Sequence, residues 1–313
     1  MTPRAFFCIL ALGVFVGAAT CLAEARQESP SGITHSFLAT GAESYIASGD
    51  GKVVWTYPAG TRDGWVLPSG NVLLALTKSK DLPGGGAVEV TRDGKVVFQY
   101  NGTQSEVNTV QALGDGRYML TEAGPKPRLL EVDRAGKVLV DMPIDAQTKD
   151  THLQTRMSRK LANGNYLVPQ LLDKVVREYT SAGKVVWEAK TPNDPPECWP
   201  FTAIRVANGH TLSNCTHGNT VVEFDAAGKI VWQLSNSDLP RPLLKDPCGG
   251  QRMPNGNTVI TSYGQNQPGE VKLLEVTPEK KVVWTYRDDK PHGIHEFQIL
   301  DTGGKPLEGP PMK

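Results

Sequence analysis

Between residues 250 and 286 the apolar positions fall into four short runs. Gly250-Gln-Arg-Met-Pro254 leads through Asn255-Gly256 to Asn257-Thr-Val-Ile-Thr-Ser262, then to Val271-Lys-Leu-Leu-Glu-Val276 and Lys281-Val-Val-Trp-Thr-Tyr286. Val, Ile, Thr and aromatic residues favour strands, and the Gly, Asn and Pro between them favour turns. Asn-Gly is expected to place two consecutive residues at positive φ, as a two-residue hairpin requires. An Asp-x-x-Gly-Lys turn, as in Asp133–Lys137 and Asp225–Lys229, joins the third and fourth runs, with Gly in the left-handed region and Lys in water. The unit is a four-stranded antiparallel meander. Beyond residue 25 no apolar residues recur at i, i+3, i+4, i+7 over three turns, so no long amphipathic helix is predicted.

The unit repeats. Gly51-Lys-Val-Val-Trp55 returns as Gly94-Lys-Val-Val-Phe98, Gly136-Lys-Val-Leu-Val140, Gly183-Lys-Val-Val-Trp187, Gly228-Lys-Ile-Val-Trp232 and Lys280-Lys-Val-Val-Trp284, at steps of 43, 42, 47, 45 and 52 between first residues. In phase with it run Ser69-Gly70, Asp115-Gly116, Asn163-Gly164, Asn208-Gly209 and Asn255-Gly256. Four-stranded units of this length stack radially into a propeller. β-Helix coils are shorter and lack hairpin turns at a fixed phase.

The ends of the chain indicate how the ring closes. Residues 34 to 57 hold three strands, His35–Thr40, Glu43–Ala47 and Lys52–Tyr57, without an inner one, and Ile294–Leu300 supplies it from the far end. The predicted architecture is therefore all-β, a six-bladed β-propeller of four-stranded antiparallel blades over residues 26–308, latched by its C-terminal strand. Residues 309–313 read as a disordered, Pro-rich tail. Trp55, Trp187, Trp232 and Trp284 recur with the blade and are expected to pack one blade against the next.

Composition narrows the function classes. Lys plus Arg and Asp plus Glu each number 33, so no global field draws the chain to nucleic acid or anionic lipid. A single propeller accounts for 32 Gly and 23 Pro and fills the length. At the N-terminus a basic start, the apolar stretch Phe6–Ala19 and small residues at Cys21–Ala25 predict a cleaved signal peptide over residues 1–25, too short to span a membrane. Ala18-Ala19-Thr20 departs from a lipobox, so a lipid anchor on Cys21 is not expected. The mature chain is then extracytoplasmic, periplasmic or secreted. One disulfide is expected among Cys198, Cys215 and Cys248, with the pairing open and one thiol left over.

Propellers bind at the mouth of the central channel. Seven residues before each inner turn stand Arg62, Asn108, Arg156, Phe201, Cys248 and His295, five of which are not plain apolar core residues. Trp199, Trp65, His152, His292, Arg159 and Glu296 are expected on the same side. Polar residues there can simply line water; as a ring, Arg, His and Trp make an anion-binding or aromatic-binding mouth. The ligand-binding residues predicted are Arg62, Asn108, Arg156, Arg159, His152, His292, His295 and Trp199. No phosphate loop, nucleophile elbow or zinc motif occurs, so neither a cofactor nor a metal is predicted.

Glu223-Phe-Asp-Ala-Ala-Gly-Lys-Ile-Val-Trp232 and Glu178-Tyr-Thr-Ser-Ala-Gly-Lys-Val-Val-Trp187 resemble the repeat of pyrroloquinoline-quinone-type (PQQ-like) propellers. That resemblance covers residues 34 to 300 and implies the fold. It does not carry the quinone, because quinoprotein dehydrogenases have eight blades, a calcium-binding carboxylate set and adjacent cysteines. His295-Glu-Phe-Gln-Ile-Leu300 and Lys160-Leu-Ala-Asn-Gly-Asn-Tyr-Leu-Val168 are similar to segments of bacterial arylsulfotransferases, periplasmic six-bladed propellers. This second resemblance implies sulfuryl transfer at His295, with Arg62 and Arg156 holding sulfate oxygens; the chain is short for that family and lacks its paired His-His. The leading expectation is a monomeric, non-catalytic binding propeller for a small anionic or aromatic ligand. A sulfotransferase and an envelope-assembly scaffold with a protein partner are the alternatives.

Overall fold

A computed structural model describes residues 25–313. The signal-peptide expectation lies outside the described residues. Six antiparallel sheets form the ring, and no α-helix occurs among the described residues. Blade 1 is Ile294–Thr302, His35–Gly41, Ser44–Ala47 and Val53–Tyr57 from channel to rim. Blade 2 is Thr61–Val66, Val72–Leu76, Gly86–Val90 and Val96–Asn101; blade 3 is Glu106–Gly114, Arg117–Ala123, Arg128–Asp133 and Val138–Pro143. Blade 4 is Arg159–Lys160, Tyr166–Gln170, Val175–Tyr179 and Val185–Lys190. Blade 5 is Cys198–Arg205, Thr211–His217, Thr220–Phe224 and Ile230–Ser235; blade 6 is Gly250–Arg252, Thr258–Thr261, Val271–Val276 and Val282–Arg287.

Burial follows position in the blade. The middle strands are covered on both faces by neighbouring blades, so Val72–Leu76 and Gly86–Val90 are buried throughout, whereas Val53–Tyr57 at the rim is largely exposed. The predicted C-terminal latch is present, with His35 opposite Thr302 and Gly41 opposite Ile294. An unpredicted second latch accompanies it. Arg26–Glu28 adds a fifth strand outside Val282–Arg287, and the Gln27 side chain accepts from Trp284 Nε1 and His35 N at 2.8 Å each, joining blade 6 to blade 1.

The inner turns differ from expectation. Of the five predicted pairs, Asp115-Gly116 alone has both residues at positive φ, 52° and 70°, with Gly114 ahead of them at 82°. Elsewhere Gly alone enters that region, as at Gly70 (84°) and Gly256 (88°). Gly70 N donates to Leu67 O and Leu67 N to Asn71 O, both at 2.8 Å, which makes a three-residue loop closed by a left-handed Gly. The outer turns use the same loop, Gly136 N donating to Asp133 O at 2.9 Å. Lys280 takes the Gly position in blade 6 at φ 66°.

The recurrent aromatics join blades as predicted. The indole nitrogens of Trp187 and Trp232 donate to Ala226 O and Pro278 O in the next blade at 3.0 and 2.8 Å, and Phe98 stacks on Tyr118 at 3.8 Å. A second series was missed. Glu89, Glu131, Glu178, Glu223 and Glu275 stand on third strands, and each reaches a polar group of the following blade: Tyr118, Tyr166, Arg205, Arg252 and His35. In blade 1 the equivalent residue is Ile46, inside an apolar cluster with Leu38, Val72, Leu74 and Val88.

Two further expectations are corrected. Cys198, Cys215 and Cys248 are all buried free thiols, with no disulfide among the described residues. Cys198 pairs with His217 and Cys215 with Pro200, so the two cysteines are diagonal neighbours on adjacent strands, and their thiols face each other without being bonded. Residues 309–313 do not fray. Arg252 N donates to Met312 O at 3.0 Å, and Lys313 is buried in the channel. No helix among the described residues is long and apolar enough to cross a membrane.

Candidate functional site at the channel mouth

Inner strands of neighbouring blades share little backbone pairing beyond the bridge of Met157 with Thr202, so side chains knit them together. Thr109 Oγ1 donates to Arg156 O at 2.7 Å, Thr202 Oγ1 to Cys248 O at 2.7 Å and Asn108 Nδ2 to Thr155 O at 3.1 Å. These ties hold the strand beginnings at one level. A cavity of about 460 Å³ opens there, walled by Arg62, Arg156, Phe201, Cys248 and His295 from the predicted ring. Asn108, the sixth member, is fully buried behind the wall, its amide committed to blade 4.

Trp199 and His217 at strand ends of blade 5, with His152, Asp246, Tyr263 and His292 outside the strands, complete the mouth, so four of the chain's six histidines line one cavity. His152 lies on a short 3-10 turn, Thr151–Leu153, capped by the Asp150 side chain, which accepts from His152 N. Trp199 lies against His217 with ring centroids 4.2 Å apart. His217 and Asp246 hold positive φ, 57° and 49°, unusual for residues with a Cβ and a mark of backbone fixed by its surroundings. Lys272, fully buried, donates to the carbonyls of Lys290 and His292 at 3.0 and 2.9 Å and so fixes the loop that presents His292. Gly293 in that loop passes so close to Tyr263 that a Cβ would meet its carbonyl oxygen at 1.9 Å.

The cations at the mouth outnumber the carboxylates beside them. Arg62 is 7% exposed and Arg156 1% exposed, and both face the same carboxylate, Glu106, with Nη2 atoms 3.4 and 4.0 Å from Oε2. Glu106 also meets Lys78 Nζ at 3.2 Å and His152 Nδ1 at 3.1 Å. Burial alone would raise the Glu106 carboxyl, but the His152 hydrogen bond and the two Arg charges outweigh it and bring it down to about 2. Burial, then Arg62, pushes the Arg156 guanidinium down to about 9, still charged at neutral pH. The Nε atoms of both arginines are buried without a partner.

His295 sits between Tyr263 and Phe201, with ring centroids 4.3 and 5.8 Å away. Burial, then Arg62 and Arg156, pushes its imidazole down to about 3, so it is neutral, and its Nδ1 has no partner. A buried polar group without a partner costs free energy that a ligand can recover. The wall therefore offers fixed positive charge, one neutral imidazole and aromatic faces. Chemically, this arrangement can take an anion by charge-assisted hydrogen bonds and stack an attached ring.

Trp65, Arg159 and Glu296 are not on this side. Trp65 and Arg159 lie three residues beyond Arg62 and Arg156, and at about 3.3 Å per strand residue that is some 10 Å down the channel. Both line a separate cavity of about 370 Å³ at the opposite mouth. Asp63 and Glu296, fully buried, stand with Arg159 and Lys313 in the channel floor. Of the eight predicted ligand residues, Arg62, Arg156, His152, His292, His295 and Trp199 share the upper cavity, and Arg159 and Asn108 do not. Sequence reasoning missed Glu106, two residues before Asn108, and also Tyr263, His217 and Asp246, which carry no repeat phase.

No family model and no curated protein sequence matches the chain. Solved structures do. A protein of unknown function from Bacteroides caccae is 24% identical, with a TM-score of 0.74 over 88% of this chain and 100% of that one. A catalytically inactive histidine-to-alanine variant of virginiamycin B lyase from Staphylococcus aureus, solved with quinupristin, is 13% identical, with a TM-score of 0.58 over 84% and 89%. A streptogramin B lyase is also 13% identical, with a TM-score of 0.59 over 86% and 90%. At these identities the likeness establishes the fold, a β-propeller.

Proposed function

We propose that this chain is an exported binding propeller whose upper channel mouth takes a small organic anion carrying an aromatic ring. The observation that carries the reading is the pair of buried guanidiniums, Arg62 and Arg156, sharing the single carboxylate of Glu106. Their free Nε atoms and His295 Nδ1 supply directed contacts for the anion, and Trp199, Phe201 and Tyr263 supply faces for the ring. Export rests on the apolar N-terminal stretch Phe6–Ala19. An envelope-assembly scaffold would call for an apolar patch on one face. The exposed large apolar residues, Tyr263 apart, instead lie on outermost strands spread over five blades.

Titration calorimetry with 4-nitrophenyl sulfate, benzoate and quinupristin tests this reading. The two aryl anions are expected to bind, and Arg62→Ala and Arg156→Ala each to weaken them by about 10- to 100-fold, the worth of one charged hydrogen bond. Heats that are absent, or unchanged in both variants, overturn it. Quinupristin serves as a control, since the lyase likeness carries the fold alone.

A second reading, sulfuryl transfer, draws on the neutral His295 with its free Nδ1 and on the arylsulfotransferase-like residues around it. The imidazole nitrogen would attack sulfur, the aryl oxygen would leave with the bonding pair, and a phenol would later take the sulfuryl group and release the nitrogen. Transfer from 4-nitrophenyl sulfate to phenol, lost in His295→Ala, would establish it. No turnover in either protein returns the site to binding alone.

A further inference from the structure

We propose that the floor of the channel is a receptor for a primary ammonium group, and that Lys313 occupies it from within the same chain. This inference is independent of the reading of the upper mouth. Lys313 Nζ lies 3.3 Å from Asp63 Oδ1 and 3.9 Å from Glu296 Oε1, and 4.2 Å from the ring centroid of Trp65. All three side chains of the ion cluster, Asp63, Glu296 and Lys313, are at least 98% buried. Arg159 frames the seat. It binds Asp63 through Nη1 and Nη2 at 2.8 and 3.2 Å and reaches the main-chain oxygen of Lys313 at 2.7 Å.

The seat exists apart from its occupant. Asp63 is held by Gly64 N at 2.9 Å and Val110 N at 3.2 Å as well as by Arg159, so its position is set by the inner strands of blades 2 and 3. Glu296 lies on the latch strand, its Oε1 accepting from Phe297 N at 3.0 Å while Oε2 has no hydrogen-bond donor. Two carboxylates face one arginine there; burial pushes the Glu296 carboxyl up and Lys313 pulls it back down, so the floor without Lys313 must take up a proton or another cation. A carboxylate pair beneath an indole face is the chemistry that recognises an alkylammonium. The seat that Lys313 fills is thus opposite in sign to the cationic upper mouth.

Chemical rescue tests the proposal. Lys313→Ala in the full mature chain is expected to lower Tm by about 5–10 °C, because breaking a buried pair leaves a charge behind. Added n-butylammonium is expected to restore most of that loss with a saturating dose dependence, while leaving the unaltered protein unmoved. The double variant Asp63→Asn, Lys313→Ala is expected to lose the rescue. Equal recovery with sodium or tetramethylammonium chloride at matched ionic strength would overturn the proposal, as would a Tm for Lys313→Ala unchanged from the parent. Should Lys313→Ala not fold, its refolding yield is compared with and without n-butylammonium: a gain supports the seat, and no gain refutes it.

Discussion

At the scale of single residues, the mouth shows how burial sets the state of a titratable group. The His295 imidazole is held down to about 3 by burial and then by the two arginines, against 6.5 for an ordinary histidine. Between those values the unfolded chain carries a proton that the folded chain does not. Stability from this site is whole above about pH 6.5 and drains as pH falls towards about 3. Urea midpoints at several pH values between 4 and 7 are expected to fall less steeply with acid in His295→Gln than in the parent. Gly94 and Gly228 make a second comparison. Both hold left-handed turns, at φ 88° and 79°, but a Cβ at Gly94 meets nothing within 4 Å whereas one at Gly228 meets Glu188 O at 2.9 Å. Gly94→Ala is expected to cost about 1–2 kcal/mol from backbone alone, and Gly228→Ala measurably more in the same denaturation series.

At the scale of elements, the blades were legible because two turn signals recur in phase, which fixed the strand order, the blade count and the C-terminal latch. The turn class was not, since Asn-Gly supports more than one loop and the three-residue form won at four of five places. The Glu series was legible and overlooked. Glu89, Glu131, Glu178, Glu223 and Glu275 all stand five residues before the first residue of the recurring Lys-Val-Val turn. The strand Arg26–Glu28 carries no such phase, and its role depends on Gln27 meeting Trp284 across the ring. Gln27→Ala removes four side-chain to main-chain bonds and the indole partner. It is expected to cost about 1–3 kcal/mol in urea denaturation, with the slope unchanged because the ring stays closed.

At the scale of the whole molecule, the upper mouth was partly legible. Aligning inner strands placed Arg62, Arg156 and His295 at one height, but nothing in that alignment says how far three further residues travel, and so Trp65 and Arg159 went to the wrong end. The channel floor was illegible for a different reason. A Pro-rich tail is ordered here by carboxylates from residues 63 and 296, a pairing that no local pattern encodes.

The single interruption in the Glu series has a bearing on how the ring comes apart. Burial alone would raise Glu178, Glu223 and Glu275, yet hydrogen bonds from Asn165, His210 and His35, with their other partners, hold all three carboxyls below the ordinary range. Such joints weaken as acid protonates them. The joint between blades 1 and 2 is apolar at this level, built around Ile46 and Leu74 with no glutamate of the series; its carboxylates, Asp63 and Glu296, lie in the channel floor. Acid should therefore dismantle the circle in order, loosening the seams of blades 4 to 6 and 1 while the dry seam survives. Amide exchange at pH 3 is expected to leave Leu38 and Leu74 protected after Val222 and Leu274 have exchanged. Blade 1, which holds the C-terminal latch strand, would then part last from blade 2.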